Sequence, residues 1–227
     1  MRIAILADIH GNLPALEAVV ADIDKQAPDQ IWCGGDLGWL GPWASECVSY
    51  VRAAGWPTVK GNTDVWLAGD PQTISDEAER KTNIGIAGTH NVSQDDARWL
   101  VSLPVGHTGP ASILLVHGTP ESPFTAPFPD DPIASFAPYE GQAGLVIYGH
   151  VHIAFVKRLP DGTMVANPGS VGLPADATAA SYLLLDHNGG GWTIRHRRVD
   201  YDTESVIEAA RAMGGPAGDR FITLLGH

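Results

Sequence analysis

The first quarter of the chain repeats one pattern of apolar and polar positions. An apolar run of strand length covers residues 2–7, and apolar residues then recur at helical spacing over 13–23, where Asn12 is the predicted N-cap. A second strand is predicted over 30–33, a helix over 45–54 and a short third strand over 58–60. Repeated strand and helix units favour a parallel sheet that helices cover on both faces.

The last third of the chain changes to short strands separated by turns. Segments 160–163 and 187–191 have the composition of hairpin turns, and a final helix is predicted over 203–213, with Thr203 as its N-cap and Gly214 at its end. The predicted strands cover 145–148, 154–159, 164–167, 181–186 and 192–199. Parallel units followed by antiparallel hairpins predict two packed sheets with helices outside.

The middle of the chain gives fewer signals. Ser93 and Asp96 resemble a capping box at the start of a helix that Pro104 stops. We expect this helix to lie over the mouth of the crevice at the carboxyl ends of the parallel strands. The next strand is predicted over 112–116. Six prolines between 120 and 138 predict an irregular rim loop with one short helix after Asp131.

Five apolar runs end in an Asp, Asn or His that a glycine accompanies. Because the carboxyl ends of parallel strands meet at one crevice, these endings are expected to assemble one site, which we interpret as a site for two metal ions. The five endings are Asp8-Ile9-His10-Gly11-Asn12, Gly35-Asp36, Gly61-Asn62, His117-Gly118 and Gly149-His150-Val151-His152.

The amino-acid composition limits the classes of partner and the cellular location that we expect. The chain has 227 residues and a formal net charge of −12, which argues against long nucleic acid or an anionic membrane as a partner. No apolar run approaches the roughly 18 residues of a membrane span, and the first residues lack the pattern of a signal peptide, so we expect a cytoplasmic protein. Cys33 and Cys47 are expected to be reduced, buried thiols. The sequence carries no signal for an oligomeric state.

The five endings, with Asp64 after Gly61-Asn62, resemble in order the motifs of the calcineurin-like metallophosphoesterases. Segments 38–42, 117–120, 167–172 and 197–202 further resemble the small prokaryotic phosphodiesterase branch of that superfamily, so the resemblance covers nearly the whole chain. It implies an α/β fold, a four-layer α-β-β-α sandwich of two mixed sheets flanked by helices, as a single domain over residues 1–227.

The resemblance also implies a ligand set for two divalent metal ions. One ion would be held by Asp8, His10 and His152, the other by Asn62, His117 and His150, and Asp36 would bridge them. It assigns catalytic roles to Asp36, Asn62, Asp64 and His117, although Asp64 can also orient a neighbouring ligand or cap a loop. Imidazole, carboxylate and amide ligands without a thiolate suit Mn, which we expect first, or Fe, Zn, Co or Ni. A hydroxide bridging the two ions would then attack phosphorus.

The chain departs from the family pattern at Thr63. The third motif of the family usually carries a histidine there, which lies beside the substrate and is thought to protonate the leaving group. General acid catalysis contributes about 10²–10⁴-fold, so its loss favours substrates whose leaving group departs easily. We therefore expect a hydrolase of phosphodiesters, cyclic nucleotides or dinucleoside polyphosphates rather than of alkyl phosphomonoesters.

Several other polar and aromatic residues have open roles. His90 is either a replacement for the missing imidazole or a surface or cap residue. Asn167 and Ser170 either contact substrate or form a tight structural turn. Three tryptophans are candidates for stacking on a nucleobase, although core or rim packing is the alternative for each: Trp39, Trp66 and Trp99. The remaining histidines are expected on the surface or in turns: His107, His187, His196 and His227.

The expected partner is a small, nucleotide-like phosphorylated substrate. The alternative function is a non-catalytic, metal-binding interaction scaffold, because one eukaryotic retromer subunit resembles this fold and serves as an interaction surface. A phosphoprotein phosphatase is disfavoured, because Thr63-Asp64 provides neither the histidine nor the following Glu-Arg of such enzymes.

Overall fold

The computed structural model describes residues 1–69, 74 and 76–226, and two mixed β-sheets form its centre. In the first sheet the strand order is β2-β1-β8-β9; β1 pairs with β2 in parallel and with β8 antiparallel, and β8 and β9 form a hairpin. Its strands are β1 (Arg2–Leu6), β2 (Gln30–Cys33), β8 (Ala180–His187) and β9 (Trp192–Val199).

The second sheet has the order β3-β4-β5-β7-β6, with β4, β5 and β7 parallel and both edge strands antiparallel to their neighbours. Its strands are β3 (Gly106–Gly109), β4 (Ile113–Val116), β5 (Leu145–Tyr148), β6 (Ala154–Arg158) and β7 (Met164–Pro168). The two hairpin turns predicted over 160–163 and 187–191 connect β6 to β7 and β8 to β9, as expected.

The alternation of side chains along β1 divides the core into layers. Ile3 and Ile5 pack between the two sheets, whereas Ala4 and Leu6 pack against the helices on the outer face of the first sheet. The outer face of the second sheet is covered by the 3₁₀ helix Ile133–Tyr139, whose Phe136 is fully buried. The predicted α-β-β-α sandwich of two mixed sheets is therefore confirmed, and this 3₁₀ helix contributes to its fourth layer.

The helices of the described residues pack mainly on the first sheet. The predicted caps are seen at Asn12, whose side chain accepts from the N–H of Ala15, and at Ser93, whose side chain accepts from the N–H of Asp96. The helices are α1 (Leu13–Gln26), α2 (Ala44–Ala54), α3 (Asn62–Leu67), α4 (Glu77–Thr89), α5 (Gln94–Ser102), α6 (Thr203–Met213) and α7 (Gly215–Leu224).

Several local predictions were wrong. The third strand predicted over 58–60 is only an isolated bridge between Cys33 and Thr58, because the chain turns at Gly61 directly into α3. The N-cap of α6 is Asp202 rather than Thr203, since the Asp202 side chain accepts from the N–H of Ser205. Helices α3, α4 and α7 and strand β3 were not predicted.

The prediction for the cysteines is confirmed, because Cys33 and Cys47 are both buried, free thiols.

The strand ends that carry the polar motifs come together at one edge of the sandwich. Asp8 follows β1 and Asp36 follows β2 in the first sheet, while His117 follows β4 and His150 follows β5 in the second. No helix within the described ranges is both long enough and apolar enough to cross a membrane.

Candidate metal centre

Asp8, His10 and His152 form the first cluster of candidate ligands. His10 Nε2 and His152 Nε2 are 3.0 Å apart, and His152 Nε2 lies 3.4 Å from Asp8 Oδ1. The Nδ1 atom of His152 lies 2.8 Å from the carbonyl oxygen of Leu173. A carbonyl only accepts, so Nδ1 carries the proton and the lone pair of Nε2 points into the cluster.

Asn62, His117 and His150 form the second cluster. The side-chain oxygen of Asn62 lies 3.0 Å from His117 Nε2 and 2.9 Å from His150 Nδ1. His117 Nδ1 lies 2.7 Å from the carbonyl oxygen of Gly34 and donates to it, which directs Nε2 of this fully buried ring toward the cluster.

Asp36 lies between the two clusters. Its Oδ2 is 3.6 Å from His10 Nε2 in the first cluster, and its Oδ1 is 3.5 Å from His117 Nε2 in the second. The N–H of Thr63 donates to Asp36 Oδ1 over 2.9 Å. One carboxylate therefore presents a separate oxygen to each cluster, a geometry in which it can serve as a bridging ligand.

The separations between donor atoms fit metal ions. Metal–ligand bonds of about 2.0–2.2 Å place neighbouring donor atoms about 3.0–3.5 Å apart, and the observed distances run from 2.9 to 3.6 Å. Within the described part of the chain, two groups of acidic and imidazole ligand atoms lie within 4.8 Å of one another: Asp8, His10 and His152, and Asp8, Asp36 and His117. The residues present fit a dinuclear centre.

The protonation states of His10 and Asp8 also suit metal ions. Burial and the neighbouring His152 lower the pKa of His10 to about 4, so this imidazole is neutral at pH 7. Burial disfavours the charged form of Asp8, but His152 and the other imidazoles lower the pKa of Asp8 to about 2. A neutral imidazole and an ionised carboxylate are the forms that bind divalent ions.

The backbone at this site is held in an uncommon conformation. Five of the nine non-glycine residues with positive φ in the described ranges are candidate ligands: Asp8, His10, Asp36, His150 and His152, with φ between 48° and 70°. Non-glycine residues rarely adopt such angles, and those that do are concentrated at functional sites. The accompanying glycines permit close approach, since a Cβ atom at Gly61 would lie 2.0 Å from Asp36 Oδ1.

Asp64 and Ser170 form hydrogen bonds with the backbone at and beside the candidate ligands. The fully buried carboxylate of Asp64 accepts hydrogen bonds from the backbone N–H groups of Asp36, Leu37 and Gly61 over 2.8–2.9 Å. The hydroxyl of Ser170 donates to the carbonyl of Asp8 and accepts from the N–H of Leu173. Both side chains therefore have the contacts of positioning residues.

Asn167 is likewise fully buried, and among the described residues its side chain hydrogen-bonds only to backbone groups. Its side chain donates to the carbonyl of Gly149 over 2.6 Å and accepts from the N–H of Gly169 over 2.8 Å. Of the two roles open for Asn167 and Ser170, the structure supports the tight structural turn.

A cavity of about 190 Å³ opens over the two clusters. Its walls include Trp39 and Trp66, whose rings meet edge to face with centroids 5.6 Å apart. Trp39 is only 3% exposed and belongs to the core, while Trp66 is half-buried. Larger cavities of about 400 and 410 Å³ lie away from the candidate ligands.

The helix predicted to cover this crevice was assigned wrongly. The walls contain Glu79 and Asn83 from α4 and Arg220 and Leu224 from α7, and no residue of α5 is among the described lining residues. Helix α5 packs against α2 and α3 instead, so Trp99 on this helix does not line the cavity. The apolar spacing of α5 predicted the helix but not the neighbour that it packs against.

His90 does not line the cavity and so does not replace the missing imidazole within the described structure. It caps α4 at its C-terminus and faces a separate cavity beside Ser45 and Glu46. His107, His187 and His196 lie in β3, β8 and β9 rather than in turns, and His227 lies outside the described residues. Arg220 also lines the cavity, and its local sequence does not mark this position, so it was not predicted.

Comparisons with known proteins agree with this geometry. Residues 1–190 match the profile of the calcineurin-like phosphoesterase superfamily domain. An uncharacterized protein, MJ0912, from Methanocaldococcus jannaschii is 31% identical over 229 residues, covering 91% of this chain and 90% of that protein. The chain therefore belongs to the calcineurin-like phosphoesterase superfamily, a family of metallophosphoesterases.

Two solved structures share the fold. A metallophosphoesterase from Sphaerobacter thermophilus has a TM-score of 0.78 at 28% identity, covering 100% of this chain and 99% of that one. The hypothetical protein PH1004 from Pyrococcus horikoshii OT3 has a TM-score of 0.82 at 21% identity, covering 99% and 97%. The similarity extends over α6 and α7, beyond the residues that the superfamily profile matches.

Proposed function

We propose that this protein hydrolyses phosphoester or phosphoanhydride bonds with two divalent metal ions. The observation that carries the proposal is the position of Asp36, whose two carboxylate oxygens face different histidine clusters 3.5–3.6 Å away. Membership of the phosphoesterase superfamily supports the same reaction class.

The proposed ligands are Asp8, His10 and His152 for one ion and Asn62, His117 and His150 for the other, with Asp36 shared. When bound, the two ions would act as Lewis acids on a phosphoryl group and lower the pKa of a water molecule, which supplies the nucleophile. The carbonyls of Gly34 and Leu173 fix the tautomers of His117 and His152 for ligation. Asp64 acts on the reaction through Asp36, because it holds the backbone of that residue.

The substrate preference follows from Thr63. Its side chain is 4% exposed, borders the cavity and has a hydroxyl without a hydrogen-bond partner among the described residues. A threonine hydroxyl can donate a hydrogen bond but does not titrate near neutral pH, so it cannot serve as a general acid. Phosphodiesters with good leaving groups and nucleotide anhydrides are therefore the proposed substrates, ahead of alkyl phosphomonoesters.

The remaining features of the proposal come from the sequence. The net charge of −12 favours a small nucleotide-like substrate over long nucleic acid. Manganese is the proposed ion, the cytoplasm the proposed location, and residues 1–227 the proposed single domain.

The test is manganese-dependent hydrolysis of four substrates by the purified protein: a bis-aryl phosphodiester, an aryl phosphomonoester, a cyclic nucleotide and diadenosine tetraphosphate. Asp36→Asn serves as the blank. We expect turnover of diesters or anhydrides that is lost in the variant. A simple alkyl phosphomonoester is assayed beside this panel, and its cleavage as fast as that of the bis-aryl diester would contradict the proposed preference.

The rival function is an interaction scaffold that has the same fold but no catalysis. Equilibrium dialysis with elemental analysis separates the two in combination with the substrate panel. An enzyme should hold close to two ions per chain, and Asp36→Asn should lose both metal affinity and turnover. Two bound ions without turnover of any substrate in the panel would shift the assignment to the scaffold.

A further inference from the structure

Arg220 is the one Lys or Arg side chain among the described residues that line the cavity over the candidate ligands. It is exposed, and it makes no ion pair with another described residue. Glu79 on α4 lines the same cavity without pairing with it. Within the described ranges, this cation in a chain of net charge −12 therefore has no ion-pair partner that accounts for its position.

Helix α7 holds Arg220 in place. Phe221 and Ala217, four residues apart, are fully buried in the main core, and Gly218 packs so closely on α6 that a Cβ would lie 2.4 Å from the carbonyl oxygen of Ala210. Arg220 and Leu224 are also four residues apart and form the face that lines the cavity. The backbone of Arg220 is thus fixed by packing, while its guanidinium has no ion-pair partner among residues 1–69, 74 and 76–226.

The cavity is small for a whole nucleotide. Its volume of about 190 Å³ lies below the roughly 300–1,000 Å³ of pockets that enclose drug-sized ligands. It suits a short run of phosphoryl groups, with the organic part of the substrate outside. Arg220 lines this cavity together with five of the candidate metal ligands: His10, Asp36, Asn62, His150 and His152.

The guanidinium of arginine is a planar fork that binds two phosphate oxygens at once. We infer that Arg220 binds a second phosphoryl group of the substrate, next to the one that is cleaved. This inference rests on the proposed function and narrows it to phosphoanhydrides, such as nucleoside and dinucleoside polyphosphates. Arg220 lies on α7, outside residues 1–190 that the superfamily profile matches. On this inference α7 provides the specificity for phosphoanhydrides.

The kinetic test compares diadenosine tetraphosphate with bis(4-nitrophenyl) phosphate, which has no second phosphoryl group. Arg220→Ala should raise KM for the anhydride by about 10–100-fold, the usual effect of a charge-assisted hydrogen bond, and leave KM for the aryl diester unchanged. Arg220→Lys should raise KM for the anhydride less than Arg220→Ala does, because lysine keeps the charge but not the planar fork. Arg211→Ala on α6 is the control for the loss of a surface arginine. An equal effect on both substrates, or on neither, would overturn the inference.

A binding test separates this inference from the proposed reaction. Isothermal titration calorimetry measures methylenediphosphonate and methylphosphonate binding to the manganese-loaded protein, with metal content checked after each titration. Arg220→Ala should weaken the diphosphonate about 10–100-fold and leave the monophosphonate unchanged. If the wild type cleaves nothing but shows this difference, the proposed function fails and the subsite stands. If both ligands weaken equally, Arg220 contacts the phosphoryl group at the metals and the subsite fails.

Discussion

The carboxylate of Asp64 fixes the backbone of Asp36. Oδ2 of Asp64 accepts a hydrogen bond from the Asp36 N–H over 2.9 Å, and Oδ1 of Asp64 accepts one from the Leu37 N–H over 2.9 Å. Both carboxylates are buried, and Asp36 adopts a φ of 57° that an aspartate rarely prefers. The hydrogen bonds that Asp64 accepts offset the cost of that conformation, so the geometry of the shared ligand depends on a residue that does not line the cavity.

Replacing Asp64 should therefore weaken metal binding. Asp64→Asn places an amide N–H₂ where at least one of the three backbone donors needs an acceptor, and we expect a loss of manganese affinity of about 10–100-fold, as for other residues that orient ligands. Equilibrium dialysis measures the affinity, and excess manganese should restore much of the turnover. Unchanged affinity with reduced turnover would show instead that Asp64 acts directly in the reaction.

Thr63→His should change substrate preference. An imidazole at the wall of the cavity can protonate a poor leaving group, so the ratio of phosphomonoesterase to phosphodiesterase kcat/KM should rise, by up to about 10²–10⁴-fold. Thr63→Asn is the matched control, since its amide donates hydrogen bonds but does not titrate. An equal rise in both variants would assign the effect to hydrogen bonding rather than to proton transfer.

Ser170→Ala should destabilise the fold near His152. The variant leaves the buried N–H of Leu173 without the acceptor that lies 2.8 Å away, which costs about 1–3 kcal/mol of unfolding free energy. Urea denaturation measures this loss. Ser181→Ala is the control, because the Ser181 hydroxyl is buried without a hydrogen-bond partner in the described structure and its removal should cost little.

The pair of Asp22 on α1 and Arg197 on β9 should make stability depend on pH in acid. The hydrogen bond from Arg197 lowers the pKa of Asp22 below its usual value. A carboxyl whose pKa is lower in the folded state stabilises the protein above its unfolded pKa of about 3.9, and this stabilisation is lost as the pH falls through the folded value.

Asp22→Asn should therefore lower the unfolding free energy at pH 7, by less than about 1 kcal/mol for a partly exposed pair, and should have a smaller effect at pH 3. Urea denaturation at both pH values measures the difference. Asp24→Asn, an exposed carboxyl of the same helix, is the control. If Asp22→Asn lowered the unfolding free energy as much at pH 3 as at pH 7, the ion pair would not be the cause of the destabilisation.

Metal removal should lower thermal stability. Binding that favours the folded state adds about 2.7 kcal/mol when the free ion is at 100 times its dissociation constant. Calorimetric scans of the protein with manganese and after chelation should therefore differ in Tm, and Asp36→Asn should reduce the difference. The same Tm in both scans would argue against ions bound to the folded protein.

Much of the framework was predictable because it depends on local patterns. Strands such as 192–199 and the helix that Ser93 caps follow from alternation, helical spacing and capping chemistry. The convergence of Asp8, Asp36 and His117 was also predictable, since each follows an apolar strand and parallel strand ends share an edge. The short strand at 58–60 was overpredicted, because apolar composition does not show how soon the chain turns away from its neighbour.

The residues that can serve as metal ligands are recognisable in the amino-acid sequence, as is the absence of the usual histidine at Thr63. Their surroundings depend on how the chain packs: Asp64 holds the backbone of Asp36, and α4 and α7, rather than α5, line the cavity with Arg220. The physical reason is that periodicity reports whether a residue is buried locally, whereas the partner across a cavity depends on how distant segments pack.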